Sequence, residues 1–232
     1  MTYLYLKDNN IKSIPKTFFD QSKKLELLNL YYNSIKKIEA GIFDGLVNIK
    51  FLNLSSNSIQ TTETSSFRKL TKLIKLDLSS NYISVIPSSA FDDLIRLKYL
   101  YLENNKIETL PEKLFQYTQS LVDLSLTNNS IKNLPSKIFQ NLTELIAFKL
   151  RNNKLESLPE GIFNYTQNIK YLDLSNNFLT SLPETIFHNL AELFKLEIAG
   201  NKLENLTEGT FAFNRNMEYL DLSFNKLKSI TL

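Results

Sequence analysis

An asparagine occurs at every twenty-fourth residue of this chain, ten times without an insertion or deletion. Apolar residues recur in register around each of them, so the chain stacks one structural unit and does not fold as a globule. A solenoid of this kind offers a long surface and rarely a catalytic pocket. We call each repeat a coil and number the coils by their asparagines: Asn9, Asn33, Asn57, Asn81, Asn105, Asn129, Asn153, Asn177, Asn201 and Asn225.

Apolar side chains precede each asparagine by eight, five and three residues, as Leu25, Leu28 and Leu30 precede Asn33. Ile or Leu also follows it by two residues in all ten coils and by five residues in nine, Thr62 being the exception. The alternating leucines predict a short strand with every second side chain inward. One such strand per coil, each entering in the same direction, predicts a parallel sheet with strands about 4.8 Å apart.

Three other features of the unit predict how the coils pack. Phenylalanine lies ten residues after the asparagine in nine coils, from Phe19 to Phe211, and we expect this column to fill the convex side of the core. Proline follows the second apolar position in six coils, where it fixes φ as the chain leaves the sheet. The asparagine amide carries both donors and acceptors, so we expect a ladder of asparagines to bond each coil to its neighbour.

The pattern LxxLxLxxNxIxxIPxxxFxxL resembles the leucine-rich repeat, in its typical 24-residue subtype, over the whole chain. This subtype is found mainly in animal extracellular proteins such as Toll-like receptors, Slit-like guidance proteins and adhesion receptors. The resemblance implies an α/β right-handed solenoid, curved like a horseshoe, with about ten parallel strands on the concave face and short turns or 3-10 segments on the convex face. It also implies a single domain over residues 1–232, with ten coils of which the last is incomplete, and a function in protein recognition.

Composition argues against several classes of function. The net charge is only +3 and no stretch is strongly basic, which disfavours a nucleic-acid partner. No apolar run approaches the length of a membrane span, so we expect no direct membrane insertion of this segment. The chain has no cysteine, one histidine (His188) and no phosphate-binding or nucleophile motif. We therefore predict no enzymatic activity, no cofactor and no metal site.

Residues six, four, two and one positions before each asparagine are expected to face solvent on the concave sheet. In coils one to three these positions carry large apolar side chains, which predict the hydrophobic part of a partner interface. The alternative is that the rings only stabilise neighbouring strands by packing across them. We call this set the aromatic patch: Tyr3, Tyr5, Leu27, Tyr31, Tyr32 and Phe51. Further along the same face, Tyr99 and Tyr101 are additional candidates.

Coils eight to ten combine carboxylates with tyrosines in what we call the acidic patch: Tyr171, Asp173, Glu197, Tyr219 and Asp221. Carboxylates on neighbouring strands repel each other, so the patch favours a basic partner or a cation. The alternative is a solvated charged face that the nearby Lys149 and Lys195 balance.

Coil three departs most from the repeat. Its polar run QTTETSS has Thr62 at an apolar position and Glu63 where proline is common. We expect a locally loosened convex loop there, with a binding loop as the alternative.

Localisation depends on features that the repeat itself does not contain. Extracellular relatives usually have cysteine-rich caps and this chain has none, so we expect a piece of a longer protein whose bare ends self-associate. We predict an extracellular or cell-surface protein, and the lack of cysteine leaves a cytoplasmic scaffold or effector as the alternative. Sequons for N-glycosylation occur at Asn53 and Asn128 and, as better-placed sites, at Asn141, Asn164 and Asn205.

Overall fold

The computed structural model describes residues 1–229, which form a solenoid around one ten-stranded parallel sheet. Each coil contributes one three-residue strand, and the order of strands in the sheet follows the chain. The strands of this sheet are β1 (Tyr3–Tyr5), β2 (Leu27–Asn29), β4 (Phe51–Asn53), β6 (Lys75–Asp77), β7 (Tyr99–Tyr101), β8 (Asp123–Ser125), β9 (Ala147–Lys149), β10 (Tyr171–Asp173), β11 (Lys195–Glu197) and β12 (Tyr219–Asp221). Two shorter strands, β3 (Lys37–Ile38) and β5 (Thr61–Thr62), pair separately.

The strands pair in a register of one repeat, so equivalent residues form columns. Leu28 is the partner of Leu52, and Leu52 of Leu76, with all three buried. The convex side consists of turns closed by bonds such as Phe18 N to Pro15 O, and residues 1–229 contain no helix. The predicted solenoid with about ten parallel strands and a convex side of short turns is therefore confirmed.

The phenylalanine column forms the convex half of the core. From Phe19 to Phe187 each ring is at most 1% exposed, and Phe211 is partly buried. Neighbouring rings stack, with the centroids of Phe43 and Phe67 6.3 Å apart and their planes 11° apart. Each buried ring contributes about 1.5–3 kcal/mol of transfer free energy, so the column is a principal source of stability. The apolar residue expected at Ile230 lies outside the described residues.

The repeated asparagines bond each coil to the one before it. Asn57 donates from its Nδ2 to Leu54 O at 3.1 Å in its own coil and to Leu30 O at 3.0 Å in the previous coil. Its Oδ1 accepts the backbone N–H of Ile35 at 3.0 Å. The amide is thereby the partner of one buried N–H, and it shares each of the two carbonyls with the asparagine of a neighbouring coil. The same three bonds recur at Asn33, Asn81, Asn105, Asn129, Asn153, Asn177, Asn201 and Asn225, whereas Asn9 bonds only within its own coil.

The residue immediately before each repeated asparagine has a left-handed backbone, with φ between 52° and 67° in all ten coils. Glycine tolerates this conformation best and asparagine better than most residues. Five coils have one of these two residues there: Asn104, Asn128, Asn152, Asn176 and Gly200. The position is thus a turn at the rim of the sheet and not a continuation of the strand.

Coil three is more regular than expected, and the prediction of a loosened loop is wrong. Thr61–Thr62 pairs with Lys37–Ile38 in a two-stranded parallel sheet beside the main one. Glu63 accepts the N–H of Ala40 at 2.8 Å, and Ser66 Oγ donates to the carbonyl of Ile38 at 2.8 Å. Glu63 and Ser66 therefore bond the backbone of the neighbouring coil, whereas the hydroxyl of Thr62, at the apolar position, is buried without a partner among the described residues.

Candidate ligand-binding face

Four members of the aromatic patch, Tyr3, Tyr5, Leu27 and Phe51, lie on concave strands of the first three coils, and Tyr31 and Tyr32 lie in the turn that follows β2 at the rim of the sheet. Tyr3, Leu27 and Phe51 are successive partners across β1, β2 and β4. The only ring pair within the patch is Tyr31 with its sequence neighbour Tyr32, at 5.9 Å between centroids. The exposed fractions are 57% for Tyr3, 61% for Tyr5, 41% for Tyr31, 59% for Tyr32 and 40% for Phe51. No rings of the patch pair across strands, but Leu27 lies between Tyr3 and Phe51 in the register, so this arrangement is compatible both with packing of the rings against Leu27 and with a partner interface.

A shallow depression of about 230 Å³ lies within the aromatic patch. Leu28 and Leu52 are among its lining residues, and Leu27, Phe51, Asn29, Asn53 and Lys75 complete the lining. Asn29 Oδ1 accepts the N–H of Tyr31 at 2.9 Å, and Asn53 Oδ1 accepts the N–H of Ser55 at 2.9 Å. Within residues 1–229 neither asparagine donates a hydrogen bond from its Nδ2, so both present unused donors on this face.

The central concave face is largely committed to contacts within the protein. Tyr101 is half-buried, and its hydroxyl donates to Asp123 Oδ2 at 3.4 Å. Lys75 Nζ lies 4.7 Å from the centroid of the Tyr101 ring. Burial, reinforced by the charge of Asp123, raises the pKa of Tyr101 to about 12. Tyr101 and the half-buried Tyr99 thus offer a partner less free surface than the aromatic patch does.

Sequence reasoning missed Glu103, two positions before Asn105 on the same face. Its Oε2 is buried and accepts no hydrogen bond from any residue that the structure describes. Burial raises the pKa of this carboxyl above its ordinary value. The sequence does not predict the burial of Glu103, because a charged residue two positions before the repeated asparagine is equally compatible with an exposed side chain.

The carboxylates of the acidic patch have structural partners. Asp173 Oδ1 accepts the N–H of Ser175 at 2.9 Å, and Asp221 Oδ1 accepts the N–H of Ser223 at 3.0 Å. Hydrogen bonds from the side chain and backbone of Ser223 lower the pKa of Asp221. Two of the three carboxylates therefore cap turns, which gives a reason for their presence that needs no partner.

The lysines next to the acidic patch have different partners. Lys195 Nζ lies 3.1 Å from Glu197 and 4.7 Å from the centroid of the Tyr219 ring. Lys149 Nζ instead lies 3.2 Å from Asp123, outside the acidic patch. The geometry supports a charged face that is balanced in part by Lys195, but the expected balancing role of Lys149 is wrong because Asp123 holds its ammonium.

Some positions expected to face solvent on the concave side are buried. Ser125, four residues before its asparagine, is 5% exposed, and Ser55 and Ser175, two residues before theirs, are 5% and 3% exposed. The turn beneath the rim encloses these small side chains, and Ser55 Oγ donates to Asn53 Oδ1 at 2.6 Å. The exposed concave surface therefore includes fewer residues than the four columns that the sequence predicts to face solvent.

The sequon asparagines differ in how free their amide nitrogens are. Asn128 donates from Nδ2 to Asn104 Oδ1 at 2.7 Å, and Asn141 from Nδ2 to Gln116 O at 3.1 Å. Asn164 and Asn205 are exposed and donate no bond to a described residue. A glycan at Asn164 or Asn205 would therefore break no hydrogen bond donated by the amide.

The described residues offer nothing resembling a metal centre or a membrane span. No group of His, Asp and Glu side chains in residues 1–229 could hold a metal ion. Within the same range, no helix has the length and apolar character required to cross a bilayer. The ring of His188 packs against that of Phe213, with centroids 4.6 Å apart.

A stacked parallel sheet with columns of exposed side chains defines a solenoid binding module. The sequence profile of the leucine-rich repeat family matches residues 1–59, 50–107, 95–150, 119–166 and 145–203. The chain therefore belongs to the leucine-rich repeat family. A search of curated protein sequences found no match.

Several solved structures are similar to this solenoid. Toll in the Drosophila Toll–Spatzle complex is 31% identical, with a TM-score of 0.86 over 94% of this chain and 29% of that one. The TLR13–ssRNA13 complex contains a chain that is 26% identical, with a TM-score of 0.89 over 97% of this chain and 33% of that one. A Leptospira interrogans leucine-rich repeat protein is also 26% identical, with a TM-score of 0.89 over 99% of this chain and 56% of that one.

This chain thus spans between about a third and just over half of these three relatives. The family and these structures support a protein-binding module.

Proposed function

We propose that this chain is the non-catalytic ligand-binding part of an extracellular receptor or adhesion protein, which recognises a protein on its concave sheet. The observation that carries the proposal is the exposure of the aromatic patch. Its five aromatic side chains are each at least 40% exposed on neighbouring coils. Exposed Tyr and Phe supply large contact areas, and such residues commonly dominate the free energy of protein association.

The relatives support the extracellular part of this proposal. Toll was solved in a complex with Spatzle, described as a hub in development and innate immunity. This chain resembles part of Toll over 94% of its own length. Asn164 and Asn205 are exposed acceptors for the glycans that such a location would add.

A protein ligand fits the concave charges better than a nucleic acid does. TLR13 was solved with a single-stranded RNA, so the fold itself is compatible with either class of ligand. Among the three strand lysines of the main sheet, however, Lys149 and Lys195 are paired with Asp123 and Glu197, which leaves only Lys75 without an ion pair within residues 1–229. Phosphate binding requires free cations, because the release of counterions from the backbone supplies much of the affinity.

Binding to an array of purified secreted and cell-surface proteins tests the proposal. Once a ligand is found, we expect Phe51→Ala and Tyr31→Ala each to weaken binding by at least about tenfold, as truncation of a central aromatic residue does. Phe178→Ala is the matched control, because Phe178 is 42% exposed but lies one residue after Asn177, away from the patch. Folded Phe51→Ala and Tyr31→Ala variants with unchanged affinity would overturn the proposed role of the patch.

The second candidate is a cytoplasmic scaffold or effector, which the absence of cysteine favours. The intact mass of the endogenous protein, with and without glycosidase, separates the two candidates. A species heavier than 26.9 kDa that loses sugar supports the extracellular proposal, whereas an unglycosylated species of 26.9 kDa supports the cytoplasmic one.

A further inference from the structure

The depression in the aromatic patch has polar groups of one kind. Asn29 and Asn53 are partners in the strand register, so their amides lie side by side on neighbouring strands. Both use Oδ1 as the acceptor for a backbone N–H, and neither Nδ2 donates to a described residue. Towards a ligand, the pair consequently presents hydrogen-bond donors.

The charge at the depression also favours a ligand group that accepts hydrogen bonds. Lys75, the register partner of Phe51, is its only charged lining residue. In residues 1–229 the Lys75 ammonium forms no ion pair within 4.0 Å, and it lies against the Tyr101 ring. Asp77, the register partner of Asn53, lies on the next strand outside the lining of the depression, and its Oδ1 accepts the N–H and hydroxyl of Ser79. A ligand that supplies an acceptor with negative charge therefore complements this surface.

The size of the depression limits what can enter it. At about 230 Å³ it is smaller than pockets that enclose drug-sized ligands, which begin near roughly 300 Å³. The apolar side chains at its surface are those of Leu27 and Phe51, because Leu28 and Leu52 point into the core, and these two suit contact with one large apolar side chain. Such a side chain would place the following residues of its own chain over the asparagine amides.

From this arrangement we infer that the partner of the aromatic patch carries a protein segment in which a large apolar side chain is followed closely by Asp or Glu. The apolar side chain fills the depression between Leu27 and Phe51. The carboxylate accepts hydrogen bonds from Asn29 Nδ2 and Asn53 Nδ2, which requires the Asn53 sequon to be unglycosylated, and is attracted by Lys75. This specificity rests on the proposed function, because it concerns the same face.

The chain itself supplies a matched substitution. Asp77, Asp173 and Asp221 occupy the same column as Asn29 and Asn53 and accept the equivalent backbone N–H. The double variant Asn29→Asp/Asn53→Asp thus keeps its turns while replacing both donors by carboxylates. Asn205→Asp is the control for the chemical change from amide to carboxylate: it adds one of the two charges of the double variant, at an exposed position outside the concave face. Thermal unfolding followed by circular dichroism establishes that each variant is folded.

The probe is a display library of short random peptides selected on the immobilised protein. We expect enrichment of peptides with a large apolar residue close to Asp or Glu, and these peptides should bind Asn205→Asp as they bind the unaltered chain. Their affinity for the double variant should fall by at least about tenfold, since hydrogen bonds to a charged group are lost and like charges meet. An amide analogue of the best peptide, with Gln for Glu or Asn for Asp, should also bind more weakly to the unaltered chain.

Enrichment without acidic residues, failure to enrich any peptide, or acidic peptides that bind the double variant unchanged would each overturn the inference. The proposed function is judged separately. If Phe51→Ala abolishes binding of the protein ligand while the double variant retains it, the patch is the ligand site but the acidic specificity is wrong.

Discussion

Asn128 donates a hydrogen bond from its side-chain amide to Asn104 Oδ1, across 2.7 Å, at the exposed rim of the sheet. Asn152 bonds to Asn128 in the same way at 2.6 Å, and Asn176 to Asn152 at 2.7 Å. A second, exposed asparagine ladder therefore runs beside the buried one, shifted by one residue. Gly200 ends it because it has no side chain with which to continue it.

The two ladders should differ in their contribution to stability. We expect Asn105→Ala to lower the free energy of unfolding by about 2 kcal/mol, because the substitution leaves the buried N–H of Ile83 without a partner. The carbonyls of Leu78 and Leu102 each lose one of two side-chain hydrogen bonds and keep those from Asn81 and Asn129. Asn104→Gly, the neighbouring control, keeps the left-handed turn and should cost less than about 1 kcal/mol. Urea unfolding followed by circular dichroism measures both, and equal losses would contradict the distinction.

Gly200→Ala should destabilise the protein. Its φ is 67°, and a Cβ at this position would collide with Asn176 Oδ1. We expect Gly200→Ala to cost about 2 kcal/mol, from left-handed strain together with displacement of Asn176. Gly209→Ala is the control, because φ is 83° there but an added Cβ would lie 4.0 Å from Ala212 Cβ, so only the strain of about 1 kcal/mol applies.

A second variant separates the collision at Gly200 from the strain. Asn176→Gly removes the side chain that an alanine at position 200 would meet. In the Asn176→Gly background, Gly200→Ala should lower the free energy of unfolding by no more than Gly209→Ala does. Urea unfolding of the four variants measures these differences. An undiminished cost in the Asn176→Gly background would assign the whole effect to the backbone.

Glu103→Gln should stabilise the protein at neutral pH. Burial raises the pKa of Glu103 in the folded protein above the ordinary value of 4.5, so ionisation is less favourable there than in the unfolded chain. The unaltered protein therefore loses stability as the pH rises from 4.5 through the folded pKa, and the variant does not. Unfolding free energies measured across this range should diverge above pH 4.5 and converge below it. A constant difference at all pH values would rule out titration of Glu103 as the cause.

The sequence predicts the columns of this fold well because each column repeats one physical environment. Leu28, Phe43 and Asn57 stand for side chains whose surroundings recur in coil after coil, so periodicity alone assigns their burial. The left-handed position was also visible in principle, since Asn104, Asn128, Asn152 and Asn176 are followed in the same column by Gly200. The repeat pattern alone places the residue before each asparagine on the concave surface and does not identify the left-handed turn there.

Side-chain partners within the candidate site were harder to predict. Asp173 and Asp221 were interpreted as charges available to a ligand, but each belongs to the sequence Asp-Leu-Ser and caps the following turn. Lys149 reaches Asp123 and not the acidic patch, because ion pairs depend on rotamers that a repeat pattern does not specify. The polar residues of coil three break the repeat pattern and therefore predict a loosened loop. The extra hydrogen bonds of this coil are visible only in the structure.

The constant register has a consequence for how recognition could diversify. Strands two coils apart are separated by about 9.6 Å, twice the spacing of neighbouring strands. Substitutions at such distances usually act on free energy independently, whereas adjacent residues are energetically coupled. Changes at Tyr3 and Phe51 should therefore combine almost additively, so a ligand preference could be altered in separate steps along the sheet, each leaving the others intact.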